Sequence, residues 1–513
     1  MTSLISSRLG AIRRWMTSRP NETAAGALPH GERRVLDGLS AAVLCDSAFT
    51  PNAFNGGTFP ASAMDRAWSE VSRSGARTLS GRAIESTTFR SAEEAITAAM
   101  GAALSGERAS AMIAPRSAAS WVDAVAHARD LGTPMMITLV NGAMGGAGDA
   151  LGTGHEAIEA ARAAGIPVWV ATCVQDVVDL PPRLRWIAEQ SLQPVVLAMD
   201  LRETALSAQD VALPDGEAIR THLGDHAELI DSPSEGQRVL FGHERRRVPR
   251  RHDVDRPAML SPHMDAEIAA RSAAGRLAYL ADDLRSAIER ADTLFGAAPA
   301  ATDPDGSQNA ELVLIAQGSL VEPLRAAAEH LRSARKLKVG VIGVRRRHPL
   351  PADALAKHCA KAKRIIVLER MLSPDGSGGP LAKEIARSVA QPVTSVAAGI
   401  AGGVINGRDL LALADVDASA SADGRTRQRV LGLGFDMRGD DGAFPHRQAL
   451  LDELQRAFPG APAMSVVGDG PAVKLTSNAR LIGAVHEATD PSTSLALPMA
   501  AILGSLGQSA VRS

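Results

Sequence analysis

From Arg34 onward, short apolar runs alternate with stretches in which apolar residues recur at helical spacing. Such alternation predicts a mostly parallel sheet with helices on both faces. Strands are expected at Ala109–Ala114, Pro134–Val140, Ile166–Ala171 and Val195–Asp200. Helices are expected at Ala63–Ser74, Trp121–Leu131, Glu156–Ala164 and Val174–Gln190. The segment Pro51–Ser62, PNAFNGGTFPAS, reads as a Gly/Pro/Asn loop, and Asn141–His155 as a glycine-rich loop at a strand's carboxyl end, where open α/β sheets place ligands. The glycines of the second loop form neither a dinucleotide fingerprint nor a Walker loop, so the residues leave a mobile surface loop and a ligand loop both open.

A second set of alternations follows a connector. Residues 206–309 hold the basic run His243–Pro257, a long helical pattern at Met264–Leu294 and the linker-like Ala297–Asn309. Strands are then expected at Glu311–Ala316, Lys338–Val344 and Arg364–Leu368, with helices at Val321–Ser333, Ala352–Cys359 and Leu381–Val389. Strands at Arg429–Leu433 and Ala463–Val467 flank a helix at Gln448–Phe458. The pattern divides the chain into an N-terminal extension (1–33), an α/β domain (34–205), a helical connector (206–309), a second α/β domain (310–400) and a partial third α/β segment (401–513).

Glu85–Pro115 organises the first domain. Ser91 caps a helix, and Glu94 three residues later closes a capping box. Ala95, Ala98, Ala99, Ala102 and Ala103 leave little side chain along the helix, so another backbone can approach. Gly106 ends it before the buried strand. The residues alone fit a capped helix under a sheet; a carboxylate at this helix start also fits the wall of a heterocycle site.

Composition narrows the partners. In 513 residues, 45% hydrophobic and 22% charged, the formal net charge of −2 gives no reason to expect nucleic acid or a membrane surface. Aromatic residues are only 3%, so the cores are aliphatic. The basic run at His243 lacks the aromatic interleaving of nucleic-acid grooves and reads as a solvated connector whose arginines pair across an interface. Cys45, Cys173 and Cys359 lie far apart without a C-x-x-C, which argues against a disulfide framework and an iron–sulfur site on this chain, and for a reducing cytoplasm. The basic N-terminus lacks the continuous apolar core of a secretory signal, and no apolar run is long enough to span a bilayer.

The order of these pieces resembles the thiamine-diphosphate-dependent 2-oxoacid:ferredoxin oxidoreductases, most closely the large subunit of the indolepyruvate type and more distantly the pyruvate type. Gly56–Ser62, GGTFPAS, resembles the family's G-T-P-S-S turn, with Thr58 at the threonine. TAAMGAALSGERASAM resembles the helix beside the cofactor's pyrimidine. LVLIAQGSL, RRRHPLP and VLERMLSP resemble the transketolase-C-like domain. Phe444–Gly460 and VVGDGP resemble the entry to the diphosphate-binding domain.

The resemblance implies a multidomain α/β fold: a pyrimidine-type domain of the thiamine-diphosphate fold, a transketolase-C-like domain, and a truncated third segment. It implies oxidative decarboxylation of a 2-oxoacid by a large-subunit-like component. Thr58, Glu93 and His446 are then the catalytic candidates, and Gly57, Arg447, Gly468 and Asp469 lie against the cofactor. Thiamine diphosphate with Mg²⁺ would need a partner chain, either a second oxidoreductase subunit or another copy. Anchoring the helix on Gly101 puts Ala92, not Glu93, at the family's activating glutamate. The entry motif has Gly442-Ala443-Phe444 where the family has cysteines, and Asn478 follows Gly470 too closely for a metal segment. No metal ligands are therefore assigned on this chain. The same departures fit a second reading, a degenerate homologue acting as a scaffold or regulatory subunit.

Overall fold

The structure is a computed structural model that describes residues 30–57, 61–115, 119–143, 152–254, 266–296, 299–400, 403, 405–416, 428–434 and 445–468. Among these, the chain divides into two compact units, 30–142 with 157–300, and 143–156 with 301–468.

The first unit opens with β1 (His30–Asp37) and α1 (Gly38–Ser47). Then come β2 (Asn52–Gly56), α2 (Ala61–Arg73), β3 (Glu85–Phe89), α3 (Ala92–Leu104), β4 (Ala109–Ile113), α4 (Ala119–Asp130) and β5 (Met136–Asn141). It continues through α5 (Glu156–Ala163), β6 (Val168–Val170), α6 (Val174–Ser191) and β7 (Val195–Asp200). Six of these strands pair in parallel in the order β6-β7-β5-β4-β2-β3. Every residue of β4, β5 and β7 is buried, which explains their near-continuous apolar sequences. The order reverses direction between β3 and β4, so right-handed crossovers place α2 on one face and α3 on the other. Trp68 of α2 accordingly donates its indole N–H to Met112 Sδ at 2.9 Å, deep in the sheet.

Helix α6 is buried along almost its whole length, charged residues included. Arg185, fully buried, donates to Ala109 O and Thr50 Oγ1 at 2.9 Å and to Ser110 Oγ, and stands 3.6 Å from Asp46. Arg108 grips both oxygens of buried Glu189 at 2.7 and 3.0 Å. Polar α6 thus serves as an internal strut between sheet and outer helices.

The connector is built differently from the expectation. It forms β8 (Ala208–Pro214), antiparallel to β1, then α7 (Gly216–Leu223), the antiparallel pair β9 (Leu229–Asp231) and β10 (Glu244–Arg246) around α8 (Glu235–Phe241), and the long α9 (Ala266–Leu294). Its basic run is not simply a solvated face. Arg245 is buried, donating to Gln237 Oε1 and Glu189 O at 2.7 Å, and burial pulls its pKa down to about 9. Arg247 pairs with Glu228 at 2.7 Å.

The second unit contains β11 (Thr302–Asp305), β12 (Leu312–Gln317), α10 (Val321–Ala334), β13 (Val339–Val344), β14 (Arg346–His348), α11 (Ala352–Cys359) and β15 (Arg364–Glu369). Beyond these lie α12 (Pro380–Ser388), β16 (Val393–Ala397), α13 (Gly407–Ala412), β17 (Arg429–Leu431), α14 (Pro445–Ala457) and β18 (Ser465–Val466). Its sheet runs β11-β13-β12-β15-β16-β17-β18, parallel except for β11. Period-two alternation sends Leu314, Ala316 and Leu368 into one aliphatic core and Val313, Ile315 and Val367 into the other. Of the strands expected in a separate third segment, β17 pairs onto β16 and β18 onto β17, so both extend this same sheet.

Two further differences concern the candidate site. Pro51–Ser62 contains the interior strand β2 where a loop was expected, and Glu85–Phe89 is a strand rather than a helix start. In β2 only alternate side chains and the terminal glycine are buried, so NAFNG carries no apolar run to announce it.

Candidate active site at the edge of the first sheet

The site begins where β2 ends. A Cβ on Gly56 would lie 2.5 Å from Ser91 O, 2.7 Å from Ala95 Cβ and 2.8 Å from Ala92 Cα. Glycine is therefore required for α3 to seat its first turn directly on the strand. Gly57 follows at φ +109°, a conformation suited to glycine, and its N–H donates to Phe89 O at 3.4 Å. The turn and the helix start thus form one corner of the first unit.

The expected cap is present. Ser91 Oγ accepts the Glu94 N–H at 3.1 Å, and Glu94 Oε2 reaches back to the Arg90 N–H, also at 3.1 Å. That return bond lands one residue earlier than in the usual capping box. Ala92, Ala95, Ala99 and Ala103 face inward and are buried, whereas Ala98 and Ala102 are half-buried. Glu93 and Glu94 are exposed. The inward position of the first turn is therefore filled by Ala92, while Glu93 stands beside it on the outer side of the corner.

Two buried amides lie at the carboxyl ends of interior strands of this sheet, on its opposite faces. Asn55, in β2, and Asn141, the last residue of β5, are fully buried, and among the described residues neither amide oxygen nor amide nitrogen has a hydrogen-bond partner. Asn55 shares a row with Met112 and Thr138, and the Thr138 hydroxyl is likewise buried and unpartnered. Leaving such a group unsatisfied costs about 1–3 kcal/mol, so native proteins usually meet it with ordered water or a ligand. Sequence reasoning missed both residues. The signal that could have found them is an asparagine at the carboxyl end of a strand in an open α/β sheet.

The remaining candidates are spread over the chain. Thr58 and Asp469 lie outside the described residues, as does the side chain of Arg447. His446 is exposed on the first turn of α14. Gly468 is buried, and its N–H donates to Asp409 Oδ1 at 2.9 Å; a Cβ there would sit 2.0 Å from Arg408 O. The structure therefore brings Gly57 and Glu93 to one corner of the first unit, and carries His446 and Gly468 in the second. Among the described residues, no group of three or more His, Cys, Asp or Glu could hold a metal ion. No described helix is long and apolar enough to cross a membrane.

At the corresponding end of the second sheet most polar groups are paired, although the buried Gln317 Oε1 has no partner among the described residues. His155 Nδ1 lies 3.0 Å from Gln317 Nε2 and 3.3 Å from the Arg370 N–H, and Arg370 donates to Ser319 Oγ at 3.1 Å. Buried Glu369, at the end of β15, accepts the Leu381 and Ala382 N–H groups at 2.9 and 3.0 Å and so caps α12.

Comparison with known proteins places this geometry. Residues 59–267 match the family model for the thiamine-diphosphate-binding domain of pyruvate flavodoxin/ferredoxin oxidoreductases. Residues 310–410 match the model for core domain II of pyruvate:ferredoxin oxidoreductase. Among solved structures, the chain is similar to a 2-oxoglutarate:ferredoxin oxidoreductase from Magnetococcus marinus, a structure with 2-oxoglutarate, coenzyme A and succinyl-CoA bound. The identity is 14%, the TM-score 0.55, and the match covers 78% of this chain and 68% of that one. No curated protein matches the sequence. The fold is that of the thiamine-diphosphate domains of these oxidoreductases.

Proposed function

We propose, from the premise that residues 59–267 and 310–410 are domains of the 2-oxoacid:ferredoxin oxidoreductase family, that this chain is a large-subunit-like component of such an enzyme. In this reading it supplies the pyrimidine-side wall of a thiamine diphosphate site that a partner chain completes. The observation that carries it is the corner where Gly56–Gly57, just before the matched thiamine-diphosphate-binding segment, meets the capped start of α3, inside that segment. The unmet amide of Asn141, on the same sheet face as Gly56, supports a polar guest at the carboxyl end of this sheet. The cofactor, when bound, supplies an electron sink for decarboxylating a 2-oxoacid.

The chain's own residues fit the pyrimidine end of that cofactor and, among the described residues, supply no metal group. Glu93 is assigned to the aminopyrimidine, Gly57 to close backbone approach and Thr58 to the substrate. His446 is assigned to proton movement, and Arg447, Gly468 and Asp469 to the diphosphate end. Glu93 is exposed in the single chain, so its role requires the partner to cover it and exclude water. A substrate of the indolepyruvate or pyruvate type, a cytoplasmic setting and an oligomer formed with a second subunit or another copy belong to the same reading.

A second reading, a scaffold that has lost thiamine chemistry, is favoured by one observation: Ala92 occupies the inward position of the first turn. Glu93→Gln in the assembled complex separates the two. A fall in oxidative decarboxylation of about 100-fold or more, with assembly intact, supports the enzyme subunit. Full activity in the variant would remove Glu93 from the reaction, and no activity in the wild-type assembly would favour the scaffold.

A further inference from the structure

We propose that the amino end of the second sheet is a docking surface for the acidic face of another protein. The chain has seven lysines among its 55 basic residues, and five of them, Lys336, Lys338, Lys357, Lys361 and Lys363, lie between residues 336 and 363. All five are exposed. The fold gathers them. Lys338 immediately precedes β13 and Lys363 immediately precedes β15, the two strands that flank β12. Backbone bonds of 2.8 Å tie Lys338, Glu311 and Lys363 into one row at the strand entries. Within that row Glu311 accepts from Lys338 at 3.1 Å and from Lys363 at 2.5 Å. Lys361 donates to Asn309 Oδ1 at 3.0 Å, Lys336 follows the end of α10, and Lys357 lies in the last turn of α11. One carboxylate between two lysines leaves the row positive, and the adjacent Arg335 and Asp415 neutralise each other at 2.6 Å. The surface is therefore cationic with its ion pairs formed.

The residue type indicates the partner. Elsewhere the chain relies mainly on arginine, whose planar fork locks into buried pairs such as Arg108 with Glu189. An ammonium on a flexible stem is a hydrated point charge, which attracts a complementary surface at a distance without fixing one geometry. Lys336 holds φ +55°, a left-handed position after a helix where glycine is usual, so its side chain is kept there against the backbone's preference. Leu337, between Lys336 and Lys338, is 37% exposed, an apolar residue inside a cationic rim as protein–protein interfaces have. None of these residues is aromatic, which disfavours a nucleic acid, and one leucine is too little apolar surface for a membrane. The surface uses residues of the second unit alone and does not rest on the thiamine reading.

The test titrates the full chain with three anionic probes: an oligoglutamate peptide with a central leucine, a single-stranded DNA oligonucleotide of equal charge, and phosphatidylserine vesicles. Fluorescence anisotropy reads the first two and co-sedimentation the third. Saturable peptide binding is expected, weakening steeply as salt rises and tighter than binding to DNA or vesicles. The combined variant Lys336→Gln, Lys357→Gln and Lys361→Gln should weaken it about tenfold or more. Removing the same charge from exposed arginines of the first unit, with Arg33→Gln, Arg271→Gln and Arg285→Gln together, should change it by less than about twofold. Thermal unfolding checks that the variants fold; if the lysine variant is destabilised, Lys361→Glu decides alone. Absent or non-saturable peptide binding, an affinity that the lysine variant leaves unchanged, or an equal loss in the arginine variant overturns the proposal. Tighter binding of DNA or of vesicles than of the peptide overturns the assignment to a protein partner.

Discussion

The two parallel sheets treat the same topological position differently, though in degree and not in kind. At the carboxyl ends of β12 and β15, His155, Ser319 and Glu369 find partners inside the second unit, and the Glu369 carboxylate is spent on capping a helix. At the carboxyl ends of β2 and β5, Asn55 and Asn141 are equally buried and find none among the described residues. A mostly paired edge, whose Gln317 Oε1 still lacks a partner among the described residues, adds rigidity and offers a ligand little. An edge with unmet donors and acceptors is less stable and can bind. The difference suggests an architectural second sheet and a first sheet adapted to a guest.

Substitutions can break or sharpen this contrast. The largest effect is expected for Gly56→Ala, because the new Cβ meets backbone on the facing helix; the cost is about 3 kcal/mol, read by urea unfolding. Glu369→Ala strips two buried N–H groups of their acceptor and should cost about 2 kcal/mol by the same measurement. Asn141→Leu should do the reverse. Removing an unpartnered amide is expected to raise the stability of the ligand-free chain by about 1 kcal/mol while weakening cofactor binding in the assembly. A destabilised Asn141→Leu chain would show that the amide already has the environment it needs. Ser91→Ala, which loses the cap of α3, should cost about 0.5–1 kcal/mol.

Much of this architecture was legible in the chain because strands buried on both faces are written as apolar runs. Ala109–Ile113, Val195–Asp200 and Val339–Val344 were recognisable for that reason, and the helix Ala352–Cys359 was read to the residue. The strands β2 and β3 were not, since NAFNG and ESTTF show no such run and are recognised only once their neighbours pair with them. The buried Arg245 of the basic run misled for a related reason. A charge run reads as solvated unless its partners, here Gln237 and the backbone carbonyl of Glu189 far along the chain, are known. At the site, the cap and the small-residue helix were visible locally. Which side of the helix start faces inward, Ala92 or Glu93, depends on the approach of Gly56 from a strand that the pattern did not reveal.

The central claim is that this chain holds one wall of a thiamine diphosphate site and needs a second chain for the other. The most direct measurement is calorimetric titration of thiamine diphosphate with Mg²⁺, first into the chain alone and then into the chain assembled with a candidate second oxidoreductase subunit. Heat that saturates only in the assembly is the expected result. Saturable binding by the lone chain, or none in either case, would contradict the claim.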